Sequence, residues 1–437
     1  MSPRLRAGVA SAPITSVEES SETCRRYIEA RQPVTIPLMA GPDEPRNGPS
    51  SAIGDHRASR LRSRADIAHQ TGERPHLHVP GELLVAREDL PLISRDLAEL
   101  EARELEVPRN LQERLARFVL PSSEPLPSLV SRLRSRGVGR AVRVGPHHVV
   151  TGMPYIQGGP AGFPTATGDR FEVSPCEPTG VRVALLDTGY TPRLHPWLDA
   201  RVEADGSLQK TDLQQRDGWL EDEVGHATFV AGLIVERAPG VRIRITEVLD
   251  SEGYGSELAL ADAIIEYAEE ADIVNLSLGC YSHDDLPPIA LAEALRRLGP
   301  ASVVVAAAGN NDSDRPFWPA AHKRVIAVAA LDAGLQRAPF SNYGWWVDAA
   351  APGVEVLGAF VDFDEQDDAN PIPGRSPQNF RGWARWDGTS FAVPRLVGAI
   401  AAALANGAAA SASEAAAEVF ARASRRGDPE LGFVLDV

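Results

Sequence analysis

The stretch VRVALLDTGY, residues 181–190, decides how the second half of this chain is read. A mostly apolar run, rich in Val and Leu, leads without a turn into Asp187-Thr188-Gly189. Four segments of the same kind follow: VRIRITEVL (241–249), DIVNLSL (272–278), SVVVAAA (302–308) and VIAVAA (325–330). Nearly continuous apolar runs are what parallel strands look like when helices cover both faces of their sheet. Helical spacing of apolar residues fills the gaps, at 226–238, 256–270 and 287–299, then at 390–406 and 411–424. The alternation predicts a three-layer α/β domain over 180–437, with a mostly parallel sheet. The acidic and Pro-rich text of 361–385 reads as a surface insertion.

Upstream the text is different. Residues 1–75 are rich in Ser, Pro, Arg and Gly and read as a mostly flexible extension. Residues 76–151 read as a small α+β module. Its strand candidates are 76–86 and 141–151, and helical spacing covers 92–107, 110–118 and 128–136. Residues 152–179, with GGPAGFPTATG, read as a linker. His147-His148 has no carboxylate or Cys at ligand spacing and reads as two surface histidines.

The 437 residues, 43% hydrophobic and 24% charged, suffice for a large core and exclude wholesale disorder. Formal charge is 44 − 60 = −16, which argues against nucleic acid as a partner. The charge is uneven. Residues 1–150 carry 22 basic and 19 acidic side chains, a net +3, and the remainder carries 22 and 41, a net −19. Three cysteines exclude a disulfide scaffold, and no CxxC marks a structural zinc site. The first residues lack a strong apolar stretch, and no run of about 18 apolar residues occurs. The expectation is a cytoplasmic protein with no membrane partner.

Four chemically apt side chains stand where a strand ends or a helix begins, the places where α/β sheets put their sites. Asp187 ends the first strand, His226 opens a helix in GHATFVAGLI, and Asn310 follows SVVVAAAG. Ser390 opens the most apolar helix, in GTSFAVPRLVGAIAAAL. A serine hydroxyl needs a base to become a nucleophile, and the base needs a group that fixes its tautomer. An amide donor aimed at the developing oxyanion supplies a large electrostatic share of catalysis.

The order Asp, His, Ser is that of subtilisin, and the domain resembles a subtilisin-like serine protease (subtilase, peptidase S8 family). DTGYTPRLHPWL, NLSLG, VVVAAAGN, FWPAAHKRVIAVAAL, FSNYGWWVDAAAPGVEVL and the Ser390 segment carry the resemblance over roughly 180–410. It implies a serine endopeptidase with Asp187, His226 and Ser390 as triad and Asn310 in the oxyanion hole. It also implies a polypeptide substrate paired along Leu276, Ser277, Leu278 and Gly279. Gly253, Tyr254 and Gly255 would flank that substrate, and Ala307, Ala308 and Gly309 would line the pocket for its P1 side chain. No cofactor is required for such chemistry. Structural calcium is a family property for which no ligand is assigned in this sequence, so the metal site is unknown.

Phe391 replaces the family's common Met after the nucleophile, a change of packing, and two further positions depart from the pattern: Ala227 stands in place of a usual Gly and Phe229 in place of a frequent His. They motivate a rival reading, a catalytically silent subtilase fold that binds peptides. The resemblance, the Gly/Pro-rich linker and the opposite charges of the two parts lead to one more expectation. Residues 76–151 dock on the catalytic domain as a propeptide-like chaperone or inhibitor. A dedicated maturation protease and a regulated effector protease are both compatible with the sequence.

Overall fold

A computed structural model describes residues 61–121, 125–152, 162–204, 218–267, 270–366 and 376–435. The runs at 181–190 and 241–249 form strands β7 (Arg182–Asp187) and β9 (Arg242–Glu247), with the short β8 (Val202–Ala204) at the edge. The remaining predicted strands are β11 (Ile273–Leu276), β12 (Val303–Ala307) and β13 (Val325–Leu331), and β14 (Ala349–Pro352) extends them. With the C-terminal β17 (Ser424–Asp428) and β18 (Gly432–Val434) they make a nine-stranded sheet, in the order β17-β18-β14-β13-β12-β11-β7-β9-β8. Every pairing in it is parallel except β17 with β18. Parallel strands need crossovers; helices supply most of them, while loops join β12 to β13 and β13 to β14.

One face of the sheet is covered by helices α4 (His226–Arg237), α7 (Thr389–Ala405) and α8 (Ala412–Arg422). The other carries α5 (Glu257–Tyr267) and α6 (Ile289–Leu295). The α7 stretch is almost wholly buried from Thr389 to Ala402, which explains why its sequence is apolar all round. It contacts α4 and β11 to β14, so the helix that begins at Ser390 is held by the middle of the core.

The N-terminal module is an antiparallel sheet with helices α1 (Leu90–Glu99) and α2 (Leu126–Arg134) on one face. Its strands are β1 (Ala68–Gln70), β2 (His76–Ala86), β3 (Arg103–Leu105), β4 (Leu115–Val119) and β5 (Val144–Thr151). Three expectations change here. Residues 110–118 are not helical. Leu111, Leu115 and Phe118 have helical spacing, but residues 115–119 pair with β2, and that pairing prevails over local pattern. Ordered structure begins before residue 76, because β1 pairs with β2 and Leu61 and Ile67 are buried. His147 and His148 are not surface residues: each is 2% exposed.

The second face of this module's sheet meets the C-terminal domain that holds the nine-stranded sheet. Leu84, Leu115 and Val150 share one apolar cluster with residues of α5 and α6. Strand β10 (Tyr254–Ser256) of that domain pairs antiparallel with β5, Tyr254 opposite Thr151 and Ser256 opposite Val149.

The reading of 361–385 as a surface insertion is also corrected. Strands β15 (Val356–Asp364) and β16 (Asn379–Trp386) form a hairpin whose Phe360 and Phe380 are fully buried. Asp362 and Asp364 face outward after a bulge that shifts the register between Ala359 and Asp362, so composition alone hid the strand. Strand β6 (Thr165–Ala166), inside the predicted linker, adds to the hairpin as a third strand.

Candidate active site

The site lies at the carboxyl edge of the parallel sheet, beside the point where the chain leaves β7 for β9 on one side and β11 on the other. Asp187 is the last residue of β7 and fully buried. Its Oδ1 accepts from the Thr188 backbone N–H at 2.7 Å and from His226 Nδ1 at 2.7 Å. Thr188 Oγ1 in turn accepts from the Ala227 N–H, which ties the start of α4 to the end of β7. The turn into α4 uses Gly225 at φ 79°, a left-handed conformation, and a Cβ there would lie 2.5 Å from the Phe360 ring.

The two departures from the family pattern are accommodated by packing. Ala227 sits in regular helix with negative φ, so no glycine is needed there. Phe229 is fully buried, its ring 4.6 Å from that of Phe391.

His226 Nε2 makes no hydrogen bond among the described residues, and Glu223 Oε2 lies 3.7 Å from it. Burial pulls the imidazole pKa down, but the Asp187 and Glu223 carboxylates outweigh burial and lift it to about 9. Ser390 is the second residue of α7, where backbone N–H groups lack intrahelical partners and the helix dipole is positive. Its Oγ donates to the Ser277 carbonyl at 3.2 Å, while Ser277 Oγ donates to the Ser390 carbonyl at 2.9 Å. The His226 ring is 5.5 Å from that of Phe391, the residue after Ser390. Asp187 and His226 are therefore joined, and Ser390 stands beside them with its hydroxyl turned to Ser277.

Asn310 is 3% exposed. Its Oδ1 accepts from both the N–H and the Oγ1 of Thr389, at 2.9 and 2.8 Å. With the oxygen committed, Nδ2 is the free donor, and it lies 3.6 Å from where a Cβ on Gly388 would sit. Gly309 precedes it at φ 104°, and a Cβ there would be 2.4 Å from Asn342 Nδ2. Asn342 Nδ2 donates to the Ala308 carbonyl. The Ala307-Ala308-Gly309 run is thus fixed from behind. Phe317, which sequence reasoning did not single out, lies against Gly309 and Gly279.

The two expected substrate strands are 253–255 and 276–279. Gly279 exchanges two backbone hydrogen bonds with Thr151, at 2.7 and 2.9 Å, and Gly152 N–H donates to the Gly253 carbonyl at 2.9 Å. Residues 149–152 of the N-terminal module thus run as a strand between these two segments. Glu223 lies beside that strand: its Oε2 is 3.1 Å from where a Cβ on Gly152 would be. No spacing rule marks Glu223 in EDEVGH; only the fold brings it to His226. Among the described residues no three His, Cys, Asp or Glu side chains are placed to hold a metal ion, and no helix is long and apolar enough to cross a membrane.

The family model described as "Subtilase family" matches residues 178–432. A thermophilic serine proteinase of Bacillus sp. (strain AK1) is 38% identical over 241 residues, covering 52% of this chain and 53% of that protein. The match thus spans about half the length of that relative. Subtilisin Savinase of Lederbergia lenta is 32% identical over 235 residues, covering 51% of this chain and 76% of its own. Thermitase of Thermoactinomyces vulgaris is 31% identical over 253 residues, covering 55% and 81%.

Proposed function

Because this chain belongs to the subtilase family, we propose that it is a serine endopeptidase acting on extended polypeptide. The observation that carries this reading is the 2.7 Å Asp187–His226 pair set beside Ser390 at the start of a buried helix. In the reaction the Ser390 hydroxyl leaves the Ser277 carbonyl, gives its proton to His226 Nε2 and attacks the scissile carbonyl. Asp187 keeps the proton of the resting imidazole on Nδ1 and stabilises the imidazolium that forms. The Ser390 N–H and Asn310 Nδ2 hold the oxyanion. His226 then protonates the leaving amine, and water releases the acyl group by the same route in reverse.

Polypeptide suits this cleft because its two strands carry backbone groups that complete a sheet with an added strand. Residues 149–152 already occupy that place, so the full-length chain is an inhibited form and the N-terminal module a propeptide-like regulator. Opposite net charge and the apolar cluster around Leu84 and Val150 support the same reading.

The test is fluorophosphonate labelling followed by peptide mass spectrometry, in the wild type and in Ser390→Ala. Labelling confined to Ser390 and lost in the variant is expected. Absence of labelling in wild-type protein freed of residues 1–152 favours the silent peptide-binding rival. Adding the separate module back is expected to slow labelling, less so at high salt.

A further inference from the structure

Four histidine rings meet where the module faces the catalytic domain, and the reaction uses none of them. His76 and His78 lie two residues apart on β2, on one side of the strand. His148 on β5 stands opposite His78 in the strand pairing, with His147 beside it. His283, from the loop after β11, comes from the catalytic domain. Ring centroids are 5.2 Å apart for His76–His78, 6.1 Å for His76–His283 and 5.7 Å for His148–His283. Each ring has a buried nitrogen with no hydrogen-bond partner among the described residues: Nε2 of His76, His147 and His148, Nδ1 of His78 and His283. A second proton on such a ring adds a buried charge and a donor with nothing to accept it.

The surrounding carboxylates are already paired, two of them with His147 and His148. Glu257, at the start of α5, accepts from His148 N–H, His148 Nδ1 and Ala290 N–H. Glu82 takes Arg117 through two hydrogen bonds and His147 Nδ1 through another. Asp284, 3.4 Å from His283 Nε2, is paired with Arg134 of α2. Asp285 is held by Arg315 and Arg74. Arg315, which lies over the Tyr281 ring, and Arg134 also oppose a positive charge on the nearby histidines.

We propose that His76, His78 and His283 form a proton-operated latch: while neutral they let the N-terminal module seat, and their protonation in mildly acidic solution drives residues 149–152 out of the cleft. The proposal rests on the reading that residues 149–152 block the active site. Burial, the largest cause in each case, lowers His76 and His78 to about 4 and His283 to about 3. The sign follows from linkage. The seated state is fully favoured above the free-imidazole value of about 6.5. It loses ground as pH falls from there toward about 4. Between pH 7 and pH 5 each such ring favours release by about 20-fold, so any two of His76, His78 and His283 already give a few hundred-fold.

The experiment is hydrogen exchange on full-length Ser390→Ala protein at pH 7 and pH 5, with intrinsic exchange rates corrected. This readout does not depend on catalysis, so the latch is tested even where the protease reading fails. Protection of the Thr151 and Gly279 amides is expected to fall a few hundred-fold at pH 5, while the α7 amides stay protected. The double variant His76→Gln, His78→Gln and, separately, His283→Asn are expected to flatten the effect by about 20-fold per titrating ring removed. The latch is overturned by equal protection at both pH values. It is equally overturned by loss at Gly279 only together with α7, or by an unchanged pH dependence in both variants.

Discussion

Replacing Glu223 by Gln isolates a carboxylate that stands 3.7 Å from the reacting nitrogen of His226. At that distance two unit charges interact by about 1 kcal/mol in water-like surroundings and about 4.5 kcal/mol at an effective dielectric constant of about 20. Asp187 remains on the other nitrogen at 2.7 Å and keeps its share of the rise to about 9. A contribution of about 2 kcal/mol from Glu223 is then reasonable, or about 1.5 pKa units. His226 would fall from about 9 toward about 7.5. A general base has to be neutral, so at pH 7 the competent fraction rises from about 1% to about 25%. The rate of Ser390 labelling by a fluorophosphonate, followed from pH 7 to pH 10 in both full-length proteins, is expected to rise about 25-fold at pH 7 in Glu223→Gln. Its midpoint should move down by about 1.5 units. Both proteins carry residues 149–152, and Gln has nearly the size of the Glu it replaces, so access to the cleft is matched. Identical midpoints, with unchanged thermal stability, would refute the assignment of Glu223 as a field on His226.

Asn310→Ala is expected to lower kcat on a peptide substrate by about 10²–10³ with little change in KM, because Nδ2 acts on charge that develops in the transition state; equal kcat would remove it from the oxyanion hole. Gly225→Ala should destabilise the fold by about 2–4 kcal/mol in denaturant unfolding, since φ 79° and a 2.5 Å approach to Phe360 both oppose a Cβ. Ala307, Ala308 and Gly309 are small, neutral and buried, with the Phe317 ring against Gly309. A peptide library is therefore expected to show cleavage after apolar residues, and strict preference for Arg or Lys at P1 would contradict this.

The sheet of the catalytic domain was legible in the sequence because its strands are buried on both faces. Continuous runs such as VRVALL admit few other readings when helical periods alternate with them. The helix starting points were equally clear, since His226 and Ser390 each precede a long apolar segment. The residue types at four strand and helix ends, together with the resemblance to the subtilase family, pointed to Asp187, His226, Ser390 and Asn310 as one site. Tertiary structure decided what depends on partners distant in the chain. Residues 115–119 became a strand because β2 lay free to pair, which local spacing does not report. Phe360 and Phe380 went into the core from acidic text because alternation and the bulge in β15, not composition, set which side chains turn inward. His147 and His148, unremarkable in the sequence, became buried when β5 was covered by α5 and the loop bearing His283. Glu223 gained a place beside His226 only once the turn at Gly225 was folded, since a carboxylate's effect on a neighbour depends on distance in space and not on separation along the chain.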